Sequence, residues 1–171
     1  MFKSNTQRLV TIAFFIALEI ILTRFCSIQT DIIRIGFGFL PVAMVGIMFG
    51  PLWAGAAYAI GDVLGMIIFP PAGYFPGFTL TAFLTGLTFG YFLHGKTPSL
   101  RTILIPVLIV CLGLNLFLDT LWLNIMYGQG YLAILPARII KCGIMLPIQT
   151  ILIKFAWEKI ILRIMPAEEN I

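Results

Sequence analysis

Long apolar stretches constrain this chain more than any other feature of its sequence. One of them covers residues 35–69 and carries a single charged side chain, Asp62. About 20 apolar residues in a helix cross the roughly 30 Å hydrocarbon core of a bilayer. Hydrophobic residues make up 60% of the 171 residues and charged residues only 11%, whereas soluble domains contain about 25% charged residues. The sequence therefore predicts an all-α membrane protein.

Turn-forming residues divide the apolar stretches into six predicted transmembrane helices. Residues 35–69 are too many for one helix, and Gly50-Pro51 splits them, because proline disrupts a helix interior and favours a helix start. Pro136 stands near the predicted start of the last helix for the same reason. We expect one membrane domain, residues 1–171, with helices at about 9–25, 36–49, 52–69, 78–94, 102–127 and 135–162.

The distribution of basic residues predicts the orientation of these helices. Cytoplasmic loops of membrane proteins carry an excess of Lys and Arg, and an even number of helices places both termini on one side. Most of the 11 basic residues fall on the side of the termini, which predicts that both termini are cytoplasmic. This orientation accounts for the net charge of +4 without a nucleic-acid partner. The basic residues on that side are Lys3, Arg8, Lys96, Arg101, Lys154, Lys159 and Arg163.

A proline-rich and aromatic break, Phe69–Thr79, interrupts the apolar pattern with the sequence FPPAGYFPGFT. Its prolines and glycines are unfavourable in a helix interior, and lipid leaves no water to satisfy the freed backbone groups. Tyr74, Phe75 and Phe78 offer flat faces to a planar ligand, and Thr79 is suited to cap the following helix. We expect an irregular extracellular loop above an outward-facing pocket. The alternative is an aromatic belt at an ordinary interfacial loop.

Polar residues on the predicted fifth helix share one face. Asn115 and Asp119 are four residues apart, and Trp122 follows three residues after Asp119, so all three lie on neighbouring turns. A charged side chain at the middle of a membrane helix costs about 2.5–3.5 kcal/mol on insertion scales. Such residues therefore face the protein interior and mark a binding site.

Two basic residues on the predicted sixth helix, Arg138 and Lys141, also share a face. Together with Asn115 and Asp119 they favour an outward-facing pocket for an anionic aromatic solute. The alternative is mutual neutralisation, in which Asp119 or Asp62 pairs with a basic residue and no ligand binds.

Catalytic and metal-binding patterns are weak in this chain. Residues 90–97, GYFLHGKT, match a phosphate-loop expression, but that site needs a strand before the loop and a helix after it. A membrane helix precedes this segment and Pro98 follows it. His94 lacks partners with metal-ligand spacing. We expect neither nucleotide hydrolysis nor a metal site in this chain.

Several segments together resemble the folate-type S component, the substrate-binding subunit of an energy-coupling factor (ECF) transporter. The segments are GFGFLPVAMVGIMFGPLWAG, AIGDVLG, GYFPGFTLTAFLTGLTFG and LPARIIK. The resemblance implies six membrane helices in a bacterial cytoplasmic membrane and capture of folate from outside. It also implies coupling to a transmembrane T component and two cytoplasmic ATPases. ATP is then used by those partners, and this chain binds no cofactor.

The resemblance also suggests roles for individual residues. Ala13 and Ala17 in AFFIA match the AxxxA motif by which the family docks on the T component. For the vitamin, we assign Asn115 and Asp119 to pterin hydrogen bonds and Arg138 with Lys141 to carboxylate or carbonyl recognition. Asp62 is a weaker ligand candidate, since it can instead pair with a basic group or a helix backbone. Stacking and closure are assigned to Trp122, Tyr74, Phe75 and Phe78, with Thr79 beside them.

Three alternatives stay open at this point. An S component for pantothenate, hydroxymethylpyrimidine or riboflavin would share the same architecture. A membrane enzyme acting on lipids would carry a nucleophile or a metal set near one interface. A scaffold subunit without ligand would pair its intramembrane charges with one another.

Overall fold

Six helical rods make up most of the computed structural model, which describes residues 5–29, 34–69, 75–97, 99–128 and 131–161. The fifth rod runs without a break through α5, a π-helix and α6, and the sixth continues from α7 into a second π-helix. The six rods agree with the number predicted from the sequence. The elements are α1 (Asn5–Arg24), α2 (Phe39–Phe49), α3 (Pro51–Ile68), α4 (Pro76–Leu93), α5 (Leu100–Leu108), the π-helix Ile109–Leu118, α6 (Asp119–Tyr127), α7 (Tyr131–Ala156) and the π-helix Trp157–Ile161.

Within the described residues, four helices are long and apolar enough to cross a membrane: Asn5–Arg24, Pro51–Ile68, Leu100–Met126 and Leu135–Lys159. The helix α2 is apolar but has only 11 residues. Almost every residue of α2 is buried, from Phe39 to Phe49. Because neighbouring helices surround α2 on all sides, α2 contacts protein where the longer helices have lipid-exposed faces.

A short antiparallel hairpin joins α1 to α2. Strand β1 (Ser27–Gln29) pairs with β2 (Arg34–Gly36), and Ser27 lies opposite Gly36. From the sequence, no element is predicted between the first two helices, because three-residue strands are too short to show an alternating pattern. The chain therefore contains strands in addition to the predicted helices.

Glycines allow α4 to approach α3 closely. A Cβ atom added at Gly86 would lie 2.4 Å from the Ala54 carbonyl oxygen, and one at Gly90 would lie 2.3 Å from Pro51 Cα. The turn between α2 and α3 consists of Gly50 alone, with φ of 88°, a conformation that favours glycine. Pro51 then starts α3, as predicted from Gly50-Pro51.

Helices α4 and α7 start earlier than predicted, α4 by two residues and α7 by four. Helix α4 begins at Pro76 and Phe75 is its N-cap residue, so Thr79 does not cap it. Helix α7 begins at Tyr131, and Pro136 therefore lies inside the helix and not in its first turn. Pro76 itself begins α4, as proline favours the first turn of a helix, whereas apolar residues ahead of Pro136 already belong to α7.

Candidate ligand-binding site

A buried ion pair links the fifth and sixth rods. The Arg138 Nη1 atom of α7 lies 3.6 Å from Asp119 Oδ2 of α6, with side-chain exposures of 5% and 13%. The same Nη1 atom donates a hydrogen bond of 2.8 Å to the backbone carbonyl of Asn115. Burial without compensation would be costly for either charge, so the pair makes both tolerable inside the helix bundle.

The π-helix Ile109–Leu118 places the Asn115 carbonyl opposite Arg138. This segment lies directly before Asp119 in the same rod. A π-helical turn is wider than an α-helical turn, and such segments are frequent at functional sites. Arg138 therefore bridges a backbone acceptor and a carboxylate that lie four residues apart on the facing rod.

Two polar groups of this cluster have no hydrogen-bond partner among the described residues. Arg138 Nε is buried and makes no hydrogen bond within the part of the chain that the structure describes. The Asn115 side chain, which is half-buried, likewise makes no hydrogen bond with another described residue. Buried donors of this kind usually have partners, so these groups are suited to receive a polar ligand.

Lys141 lies one turn beyond Arg138 on α7 and is half-buried. It lies within electrostatic range of both Asp119 and Arg138. Two basic side chains and one carboxylate thus share this part of the bundle, so their net charge is positive. A ligand with an anionic group complements that charge.

An aromatic cluster stands beside the ion pair at the start of α4. The ring centroids of Phe75 and Trp122 are 5.5 Å apart, and those of Phe75 and Phe78 are 6.4 Å apart. Gly77 makes this packing possible, since a Cβ there would lie 2.5 Å from Trp122 Cδ2 and 2.7 Å from Phe75 Cε1. Of the aromatic residues assigned to stacking, Tyr74 lies outside the described residues.

Thr81 connects the aromatic cluster to the ion pair. The Trp122 indole Nε1 donates to Thr81 Oγ1 at 3.1 Å, and Thr81 in turn donates to the Gly77 carbonyl at 3.1 Å. Thr81 also lies beside the Asp119 carboxylate. Trp122 is thereby held at a defined angle next to the charged residues.

Asp62 lies apart from this cluster. Its Oδ2 atom accepts a hydrogen bond of 2.7 Å from Thr79. Thr79 and Thr81 are two residues apart, and two helical residues differ by about 200° in direction. Asp62 and Trp122 therefore contact different sides of α4. Asp62 binds Thr79, and not Arg138 or Lys141, the two basic residues considered as its partners.

Sequence reasoning missed Thr81, which helps to build this region, because a threonine is common in membrane helices. It also missed Glu19 on another helix, α1. Glu19 is only 2% exposed and accepts a hydrogen bond of 2.7 Å from Thr23. A lone carboxylate in an apolar helix was the available signal for it.

The two alanines assigned to docking lie elsewhere, on α1. Ala13 and Ala17 are both exposed, so this face of α1 is open to a partner helix. Metal ligands are not grouped here: among the described residues, no three His, Cys, Asp or Glu side chains come together.

A family model described as the substrate-specific component of ECF transporters matches residues 7–156. Among curated proteins, the chain is 49% identical over 152 residues to the folate transporter FolT of Clostridium novyi, which covers 89% of this chain and 88% of that protein. It is 35% identical over 154 residues to the FolT of Leuconostoc mesenteroides, which covers 86% and 82% respectively.

A solved structure resembles this fold across nearly its whole length. It is described as a crystal structure of FolT bound with folic acid. The TM-score is 0.87 at 39% sequence identity, and the match covers 94% of this chain and 96% of that chain.

Proposed function

The chain belongs to the family of ECF transporter substrate-specific components, and we propose that it captures folate from outside the cell and delivers it inward when docked on an ATP-driven energy-coupling module. The observation that carries this proposal is the likeness to FolT bound with folic acid. The curated relatives bear the same name and are transporters rather than enzymes.

The described side chains suit the chemistry of folate. A pterin ring presents polar edges between two flat faces, and the glutamate tail is anionic. Trp122, Phe75 and Phe78 form an aromatic wall, against which a planar ring packs well. In our proposal the ring lies along this wall and its edge bonds to Asn115 and Asp119.

Arg138 and Lys141 provide the positive charge that the proposal requires. The free Nε of Arg138 is directed by the bonds that Nη1 makes to Asp119 and the Asn115 carbonyl. A charge-assisted bond to a ligand carboxylate or carbonyl is stronger than a neutral one. The ion pair thus serves two purposes, because it neutralises Asp119 and holds the guanidinium in one orientation.

In this proposal all six rods cross the bacterial cytoplasmic membrane with both termini in the cytoplasm. The short helix α2 crosses inside a ring of its neighbours. Ala13 and Ala17 dock on the transmembrane T component, and two cytoplasmic ATPases use the ATP. The chain itself binds no cofactor.

The proposal is tested by calorimetric titration of folate into the purified protein in nanodiscs. We expect one saturable site per chain, unaffected by an excess of pantothenate, riboflavin or hydroxymethylpyrimidine. If one of these vitamins binds in place of folate, the chain is a substrate-specific component for that vitamin and not for folate. If none of the four ligands binds, the scaffold alternative replaces the proposal.

A further inference from the structure

An apolar groove lies between α1 and α3, away from the proposed vitamin site. Its volume is about 320 Å³. Apart from Trp53, the residues that line the groove are small or aliphatic. The walls include Leu9, Ile12, Ala13, Trp53, Ala57 and Ile60.

Arg8 stands at the end of this groove next to Leu9 and Trp53. Its guanidinium carbon lies 5.8 Å from the centre of the Phe49 ring and 5.9 Å from that of Trp53. Contacts of this kind hold a cation over aromatic faces and leave its N–H edges free. No carboxylate pairs with Arg8 within the part of the chain that the structure describes.

The position of Arg8 matches the boundary between hydrocarbon and headgroups. Helix α1 has 20 residues, which corresponds to about 30 Å, the thickness of a hydrocarbon core. Arg8 lies in its first turns and Arg24 is its last residue. The groove therefore extends from one headgroup layer into the bilayer, and Arg8 marks its headgroup end.

We propose that the α1–α3 groove binds an anionic phospholipid, with one acyl chain along the groove and the phosphate at Arg8. Charge complementarity selects this occupant. An acyl chain gains little by leaving other lipids for an apolar groove, since lipid tails are as apolar as Leu. Selectivity must come from the headgroup, and a guanidinium with free N–H edges binds phosphate in a bidentate manner.

The lipid would cover a face of the protein that is otherwise open. Ala13 belongs both to the groove and to the pair of alanines assigned to docking, whereas Ala17 does not line the groove. A partner helix that docks across Ala13 would displace the acyl chain. The lipid site itself does not depend on the identity of the vitamin or on the docking assignment.

Quenching of Trp53 fluorescence by brominated lipids tests the proposal. The protein is placed in nanodiscs that contain phosphatidylglycerol or phosphatidylcholine, each brominated near the carbonyl end of its acyl chains, at equal mole fractions. The Trp53 signal is the difference between the unaltered protein and Trp53→Phe. We expect half-maximal quenching at an about fivefold lower fraction of phosphatidylglycerol, the ratio expected for one basic residue near an anionic lipid.

Two variants distinguish a site at Arg8 from a general attraction of anionic lipid. Arg8→Ala should make the two lipids quench equally. Arg101→Ala removes an equal charge from the exposed first turn of α5 and should preserve the preference. Equal quenching by both lipids in the unaltered protein overturns the proposal. Loss of the preference in both variants overturns it as well, because the attraction would then be diffuse. Circular dichroism confirms that each variant is folded.

Discussion

Arg138 of α7 lies 3.6 Å from Asp119 of α6 and at the same time donates to the Asn115 carbonyl, 2.8 Å away. The guanidinium is thus fixed from one side by an anion and a backbone dipole. Its Nε atom makes no hydrogen bond with any described residue. In our proposal, pairing at one edge of the guanidinium orients the other edge for folate, so that charge neutralisation and ligand binding occur together.

Arg138→Ala should raise the dissociation constant for folate by about one to two powers of ten, the range for loss of a hydrogen bond to a charged group. Calorimetric titration measures the effect. Lys154→Ala is the matched control, because Lys154 forms an exposed pair with Glu158 at 3.8 Å that contributes little. Unchanged folate affinity in Arg138→Ala would remove this residue from the site.

Asp119→Asn should lower the stability of the ligand-free protein by about 3 kcal/mol, because it leaves the buried Arg138 charge without its partner. Arg138→Gln should have a similar cost. The double variant should lose less than the sum of the two, as expected for residues in direct contact. Unfolding followed by circular dichroism in mild detergent measures all four proteins, and strict additivity would contradict coupling between the two side chains.

Gly77→Ala should weaken folate binding through the aromatic cluster. The added methyl group would lie within 2.7 Å of both Phe75 and Trp122, so the two rings must move apart. Fluorescence emission of Trp122 and calorimetric titration report this change. At Gly143 of α7 nothing lies within 4 Å of an added Cβ, and Gly143→Ala should leave affinity unchanged because alanine favours a helix. Normal folate affinity in both variants would show that the aromatic cluster is not part of the folate site.

Ala17→Trp should abolish folate uptake into cells and leave folate binding by the purified chain intact. Ala17 is exposed and a bulky indole there prevents close helix approach. Gly143→Trp is the control, since it adds the same side chain to an exposed position on α7. Normal uptake by Ala17→Trp would contradict the docking assignment, and that variant avoids the residues lining the α1–α3 groove.

Thr79→Val should destabilise the contact between α3 and α4 by about 1 kcal/mol, because it removes the hydroxyl that donates to Asp62. The thermal midpoint of unfolding measures this loss. Thr88→Val is the control on the same helix, since the Thr88 hydroxyl donates to the Leu84 carbonyl of its own helix and to no other described residue. Equal midpoints for the two variants would show that the bond to Asp62 adds nothing to stability.

The number of helices could be predicted from the sequence, whereas the exact residues at which some of them start could not. Apolar stretches and Gly50-Pro51 indicated six rods because the preference for lipid is a property of each segment by itself. The starts of α4 and α7 lie earlier than predicted, at Pro76 and Tyr131, because a proline is compatible with the first turn of a helix and does not by itself show where the helix begins. The hairpin Ser27–Gln29 with Arg34–Gly36 was too short to predict.

By itself the sequence determined that this is a helical membrane protein with polar residues concentrated in its later helices, because the cost of placing charge in lipid applies wherever the charge stands. Only the tertiary structure decided which side chains these polar residues contact. Asp119 pairs with Arg138 while Asp62 binds Thr79, a choice that depends on how each helix is rotated about its axis. That rotation is set by close contacts such as Gly77 against Trp122, which link residues distant in the chain.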